Sequence, residues 1–142
     1  MTDSLIPDDL VDAYKKTNYI VLSEGQGFTL RVDEYSSQLA ELHTRHHVST
    51  SAFMTACNPC SEIYTLEQNA SRQNDLERDL MSLGCVIIPG IGQDPEQLRP
   101  GEPSFLALGV SRFDACELGK KYGQNAIVFS GLDAVPRLVL LR

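Results

Sequence analysis

Nothing in this chain is long and apolar enough to cross a bilayer. Its longest hydrophobic stretches span only a handful of residues, whereas a spanning helix needs about 20. Cations are also scarce: 12 Lys and Arg face 19 Asp and Glu, giving a formal net charge of −7 and a pI of about 4.8. The only adjacent basic pairs are Lys15-Lys16 and Lys120-Lys121. Such a surface repels the phosphate backbone, which excludes polymeric nucleic acid as an expected partner. The stretch from Met1 to Leu10 has no basic n-region and no apolar h-region, so it does not read as a secretory signal. A cytoplasmic location is therefore expected. The four cysteines (Cys57, Cys60, Cys85 and Cys116) should be reduced there, with Cys85 and Cys116 serving as small core residues in apolar surroundings. Repeats, linkers and low-complexity segments are missing too. So is the GxGxxG fingerprint, which removes a Rossmann dinucleotide site.

What remains is an ordinary globular composition, 42% hydrophobic and 22% charged over 142 residues, enough for one domain with a real core. Pro7-Asp8-Asp9 followed by Leu10, Val11 and Tyr14 predicts a short first helix with acids in its first turn. Asn18 to Leu22 is β-rich. Glu24-Gly25-Gln26-Gly27 supplies turn chemistry, and Phe28 to Val32 alternates strictly, so the two runs predict a hairpin. Gln38 to His46 reads as a helix with Leu39, Leu42 and His43 inward, and Ser51 to Ala56 as a strand. The next helix is expected from Leu66 to Leu83, with Thr65 as N-cap and Gln68 closing a capping box; a start at Asn58-Pro59 is the alternative. Cys85 to Ile88 and Phe105 to Val110 are apolar on both faces, as central strands are. Between them, Pro89-Gly90-Ile91-Gly92 is expected to turn and to open a loop of about a dozen residues. Arg112 to Tyr122 is the last helix, ended by Gly123. Ala126 to Phe129 and Val135 to Leu141 flank a hairpin signal at Ser130-Gly131-Leu132-Asp133. The expected fold is a single α/β domain, 1–142, with a central mixed β-sheet and helices packed against it.

Polar residues gather where these apolar runs stop: Asn58-Pro59-Cys60-Ser61, Glu102-Pro103-Ser104 and Gln124-Asn125. In a sheet packed against helices, strand interiors build the core and strand ends carry the site. On a 3.6-residue wheel, Asn69, Arg72, Leu76, Leu80 and Leu83 share one stripe, so the sheet-facing side of that helix begins with an amide and a guanidinium. Arg72 has two readings. It pairs with Glu102 or another carboxylate and ties a loop down, or it is a fork for a phosphate or carboxylate ligand. Glu102 is the candidate acid or base if its surroundings perturb its pKa. Asn58 and Asn69 would orient a ligand, with Ser61, Ser104 and Gln124 beside them. Ser104 lacks the glycine elbow and His partner of a nucleophile.

Cys57-Asn58-Pro59-Cys60 has redox spacing, but a helix capped at Thr65 would leave no N-terminus behind the first sulfur. With His43 or His47 the cysteines supply zinc-type ligands without a recognised zinc spacing. No metal or cofactor is therefore expected.

Between about Ala52 and Phe129 the chain resembles a bacterial family, the domain of unknown function 3293 (DUF3293). The resemblance rests on Thr55-Ala56, Asn58-Pro59, Ser61, Asn69, Arg72, Gly84, Pro89-Gly90, Gly92, the Glu102-Pro103-Ser104-Phe105 run and Gly123-Gln124-Asn125-Ala126. Cys57 and Cys60 fall at variable positions of that pattern. The resemblance implies a cytoplasmic α/β domain and brings no activity with it. Two functions stand open: binding or processing of a small anionic metabolite or nucleotide by Asn58, Asn69, Arg72 and Glu102, or a non-catalytic protein-interaction module whose polar cluster is structural. Either way, those four residues are expected to converge.

Overall fold

The computed structural model describes residues 5–23 and 27–142; the expected turn at 24–26 lies outside them. Helix α1 (Asp8–Lys16) leads into strands β1 (Asn18–Val21) and β2 (Phe28–Leu30), then α2 (Ser37–Arg45) and β3 (Ser51–Met54). A 3-10 turn at Pro59–Ser61 precedes α3 (Leu66–Ser82). Then come β4 (Val86–Gln93), β5 (Glu102–Leu108), α4 (Arg112–Lys121), β6 (Ala126–Ser130) and β7 (Arg137–Leu140). The strong local signals set these bounds. Thr65 and Gln68 form the reciprocal capping box expected of them. Ser36 and Ser111 cap α2 and α4 through their side chains, and Gly123, at φ 69°, follows the C-cap of α4 in the left-handed region.

The seven strands form one sheet in the order β2-β1-β4-β5-β3-β6-β7. The α/β architecture with helices on a central sheet is the expected one, but strand direction is not mixed: every pairing is antiparallel. The reason lies in the two helical crossovers. The β3–α3–β4 and β5–α4–β6 units each join parallel strands, but β5 lies between the first pair and β3 between the second. Each parallel pair is thereby separated by an antiparallel neighbour. The outer edges approach one another, because Asp33 N–H donates to the Pro136 carbonyl at 2.7 Å and Ser36 N–H to that of Ala134 at 3.0 Å.

Alternation along the strands feeds two cores. On one face Val21, Leu30, Phe53, Leu106, Leu108 and Val128 pack with Leu39 and Leu42 of α2. On the other, Ala52, Met54, Ala107 and Ile127 pack with Leu76 and Leu80 of α3 and Ala115 of α4. Each fully buried large apolar side chain is worth about 1.5–3 kcal/mol, so β3, β5 and β6, which contribute to both clusters, anchor the sheet.

Two expectations fail on packing grounds. Pro89-Gly90-Ile91-Gly92 is no turn; β4 runs straight through it. Pro89 turns its carbonyl toward the Leu22 N–H (2.9 Å), just past the last β1 pair, Val21↔Gly90, so its missing N–H costs no ladder bond. Gly90 is required by space: a Cβ there would lie 2.6 Å from the Phe53 ring and 2.8 Å from the Ile20 carbonyl oxygen. The loop shortens to 94–101. Cys85 and Cys116 are only half-buried beside the second cluster; the fully buried cysteine is Cys57.

His43 is buried as expected, its Nε2 2.8 Å from the Ser51 hydroxyl. Burial holds the imidazole below its ordinary pKa of 6.5. The folded state therefore favours the neutral ring, so its contribution is complete above pH 6.5 and is lost as pH falls through the depressed folded value. Urea midpoints should drop between pH 7.5 and pH 5. His43→Gln, a neutral side chain that can still hydrogen-bond Ser51, should flatten that slope; an unchanged slope would place the acid sensitivity elsewhere.

Candidate functional site

The end of β3 is where the polar residues meet. Past Met54 the chain leaves the sheet through Thr55, Ala56 and Cys57, and its backbone groups find no strand partners there. Side chains from α3 and from the segment after α4 supply partners for them. Gln73 Oε1 accepts from Ala56 N–H at 2.6 Å and from the Thr55 hydroxyl at 3.1 Å. Arg72 Nε donates to the Ala56 carbonyl at 2.7 Å, and its Nη2 donates to the Tyr122 carbonyl at the end of α4. Gln124 Nε2 reaches the Cys57 carbonyl at 2.9 Å and the Tyr122 carbonyl at 3.3 Å.

Asn58 is the next node. Its backbone lies in the left-handed region (φ 46°, ψ 62°), which asparagine tolerates better than most residues. Its N–H donates to Asn69 Oδ1, and its Oδ1 accepts from Asn69 Nδ2 and Tyr64 N–H, each at 2.9 Å. Its Nδ2 donates to Glu102 Oε2 at 3.1 Å. Three of the four expected residues thus form one chain of hydrogen bonds, Glu102–Asn58–Asn69. Arg72 stands one helical turn further on but does not pair with Glu102, contrary to the brace anticipated between them. Its two carbonyl acceptors lie toward α4, and it makes no ion pair among the described residues.

Ser61 belongs to a second group. Its hydroxyl is 2.9 Å from the Tyr14 hydroxyl of α1, and Asn125 Nδ2 donates to both, at 3.2 and 3.0 Å. Ser104 is buried and bonds the Glu102 carbonyl at 3.0 Å, so its hydroxyl serves its own strand. Sequence reasoning passed over Gln73 and the two tyrosines beside Arg72. Gln73 was legible: it lies four residues beyond Asn69 on the same buried stripe. The tyrosines were not, because Tyr64 and Tyr122 reach Arg72 from different elements. Their ring centroids lie 5.6 and 5.7 Å from its guanidinium carbon, a distance at which cation–π attraction operates. Tyr122 is fixed in turn by its hydroxyl bond to Asp79 at 2.6 Å.

Two features of this geometry carry chemistry. Arg72 Nη1 is the part of the guanidinium that no protein acceptor claims among the described residues. Arg72 also lines an open depression of about 410 Å³ with Tyr64, Glu67, Gln68 and Ser71. Glu102 is the other: a largely buried carboxyl whose pKa is raised by burial, against the opposing Asn58 bond. No group of three His, Cys, Asp or Glu side chains could hold a metal ion among the described residues. Nor is any helix there long and apolar enough to cross a membrane.

The model of a family of proteins of unknown function, DUF3293, matches residues 54–127, a span that opens at the end of β3, where this network begins, and takes in α3, β4, β5 and α4. The chain belongs to the DUF3293 family. No curated protein and no solved structure gives a significant match. The matched span contains the whole Arg72 clamp and the Glu102–Asn58–Asn69 chain, while α1, which brings Tyr14, lies before it.

Two outcomes follow from these bonds. Asn69→Ala removes both groups that hold Asn58 from α3 and should cost about 1–3 kcal/mol in chemical denaturation, the range for a stranded, partly buried polar group; a change below 0.5 kcal/mol, roughly that of a surface substitution, would deny the node its structural weight. For Glu102 the sign is opposite to that of most carboxylates. With the folded pKa raised, the native state holds the proton longer than the unfolded chain, so stability falls as pH rises from about 4.5 through the folded value. Glu102→Gln keeps an acceptor for Asn58 and should abolish that decline, leaving the variant at least as stable as wild type at pH 8. Lower stability with the decline intact would show that the carboxylate itself holds the loop.

Proposed function

We propose that this DUF3293 protein is a cytoplasmic domain that binds a small anionic metabolite or nucleotide against Arg72. The observation that carries this reading is the state of the guanidinium: it is held by two carbonyls and flanked by two tyrosine rings, its Nη1 is unclaimed among the described residues, and Arg72 lines an open depression. A guanidinium positioned this way loses little further freedom on accepting a phosphate or carboxylate oxygen. Glu67 on the same wall rejects a purely anionic surface and favours a ligand that also presents a hydroxyl or amino donor, as nucleotides and amino-acid-like metabolites do. Processing, as distinct from binding, would fall to Glu102, whose carboxyl is lifted by burial above the ordinary carboxylate range, which makes it the better proton donor.

A second reading has its own support. Among the described residues no buried side-chain nitrogen or oxygen lacks a partner, as a purely structural cluster inside an interaction module would have it.

The readings separate at Ser71, which is exposed, lines the depression and takes no part in the clamp. Nucleoside mono- and triphosphates, phosphosugars and inorganic phosphate would be titrated in a thermal-shift screen. A ligand present at 100 times its Kd should stabilise the native state by about 2.7 kcal/mol. Ser71→Glu places a carboxylate beside Arg72 and should abolish the shift while leaving the unliganded melting temperature unchanged. No shift from any anion, at any ionic strength, would favour the structural reading.

A further inference from the structure

The clamp converges on one short loop, Cys57-Asn58-Pro59-Cys60, and holds it in an unusual state. Asn58, Cys60 and Ser61 all have positive φ, at 46°, 55° and 61°. Such conformations are strained in non-glycine residues and persist where the surroundings over-determine them. Here the surroundings do. Arg72 holds the Ala56 carbonyl, Gln124 the Cys57 carbonyl and Asn69 the Asn58 N–H, and the Gly123 carbonyl accepts from Cys60 N–H at 2.7 Å. None of the loop's amides from Cys60 to Glu62 is left for an anion, because Ser61 and Glu62 N–H bond back to Asn58 and Pro59. What the loop does offer is sulfur. Cys57 is 1% exposed beneath it, its thiol 3.7 Å from the Pro103 carbonyl, and Cys60 is exposed on its outer side.

We propose that Cys57 and Cys60 form a reversible disulfide that switches the loop out of its left-handed conformation. The pair divides the labour by exposure: Cys60 meets the oxidant and Cys57 resolves. The oxidant required is a low-molecular-weight disulfide. The Cys60 thiolate attacks one of its sulfurs, forming a mixed disulfide and expelling one thiolate. Cys57, once deprotonated, attacks the Cys60 sulfur, closes the internal bond and expels the second. Two protein thiols lose two protons and two electrons, and the small disulfide leaves as two thiols. Burial raises the pKa of the Cys57 thiol, so this second step is the slow one. A relaxed disulfide needs Cα atoms about 4.4–6.8 Å apart, and the chain already bends at Cys57 and Asn58 before entering the 3-10 turn. Closing the bond draws Cys60 inward and off the Gly123 carbonyl. Gly123 packs so closely on the loop that a Cβ there would lie 2.9 Å from Pro59 Cβ, and it follows Tyr122, whose carbonyl Arg72 holds. Oxidation therefore loosens the seat of Arg72. The disulfide itself does not depend on the anion-binding reading.

The full chain would be incubated with glutathione disulfide over a range of redox ratios, alkylated under denaturing conditions and weighed. Four free thiols should become two, with the loss of two hydrogens and no glutathione retained. Peptide mapping should place the bond between Cys57 and Cys60, leaving Cys85 and Cys116 alkylated. The oxidised form should melt several degrees lower, recover on adding a dithiol, and be unreachable in Cys60→Ser, a change at an exposed position. Four thiols remaining, a lasting glutathione adduct on Cys60 with Cys57 free, or a bond to another cysteine would each overturn the proposal. Should Cys60→Ser not fold, the wild-type map decides alone.

Discussion

Arg72 joins the end of β3 to the end of α4, and the arrangement of the matched region depends on that link. Its Nε and Nη2 take the carbonyls of Ala56 and Tyr122, two groups that strand and helix termination leave without partners. Hydrogen bonds from a charged donor are among the strong ones, about 1.5–3 kcal/mol net. The planar fork lets one side chain serve both carbonyls at once, which an ammonium could not do with the same geometry. Rings rather than a carboxylate flank the charge: Tyr64 and Tyr122 lie against it, and Asp79 holds the Tyr122 hydroxyl. That choice explains how a half-buried guanidinium sits without an ion pair among the described residues.

Much of the fold was legible in local signals. The capping box at Thr65 and Gln68, the terminating Gly123, the alternation from Phe28 and the apolar stripe at Leu76 and Leu80 each fix an element through near neighbours in the chain, although Leu83, expected on the same stripe, is exposed. What was not legible depends on residues distant in the chain. Pro89 and Gly90 carry the local signature of a turn, yet Phe53 and the Ile20 carbonyl, supplied by β3 and β1, need a residue without a Cβ inside a continuous strand. The antiparallel sheet hides behind two β–α–β crossovers whose intervening strands no local pattern reveals. The site divides in the same way. Asn69 and Arg72 could be placed on the inward stripe of α3, but whether Arg72 would meet Glu102 or a pair of carbonyls turns on which side of that helix α4 ends.

Glu102 shows the other half of the arrangement. Its carboxyl sits at the start of β5, opposite Gly92 of β4, with one neutral amide as its side-chain partner. Burial opposes its ionisation more than Asn58 favours it. Among the described residues, a guanidinium without an ion pair and a carboxyl without a cation thus stand on the same short stretch of chain, Arg72 on the Ala56 carbonyl and Glu102 on Asn58 Nδ2. Pairing them would have neutralised both. Leaving them apart keeps the Arg72 charge without a carboxylate partner among the described residues and lets burial oppose ionisation of Glu102, a separation from which a chain under selection for stability alone gains nothing.

The loop between them is held in place against its own strain. Left-handed Asn58, Cys60 and Ser61, with Pro59 between the first two, would relax if the bonds to Gln124, Asn69 and Gly123 were absent, because each fixes a different backbone group. A network serving only to end a strand and begin a helix needs no such conformation; an ordinary turn would satisfy the same carbonyls with less strain. The proposed binding site would rest on this loop: strain retained and over-determined at a strand end, beside an Arg72 nitrogen that no acceptor claims among the described residues and a carboxyl whose pKa burial raises. On that proposal the saturated hydrogen bonds hold the site rigid; on the structural alternative they are the whole of its role.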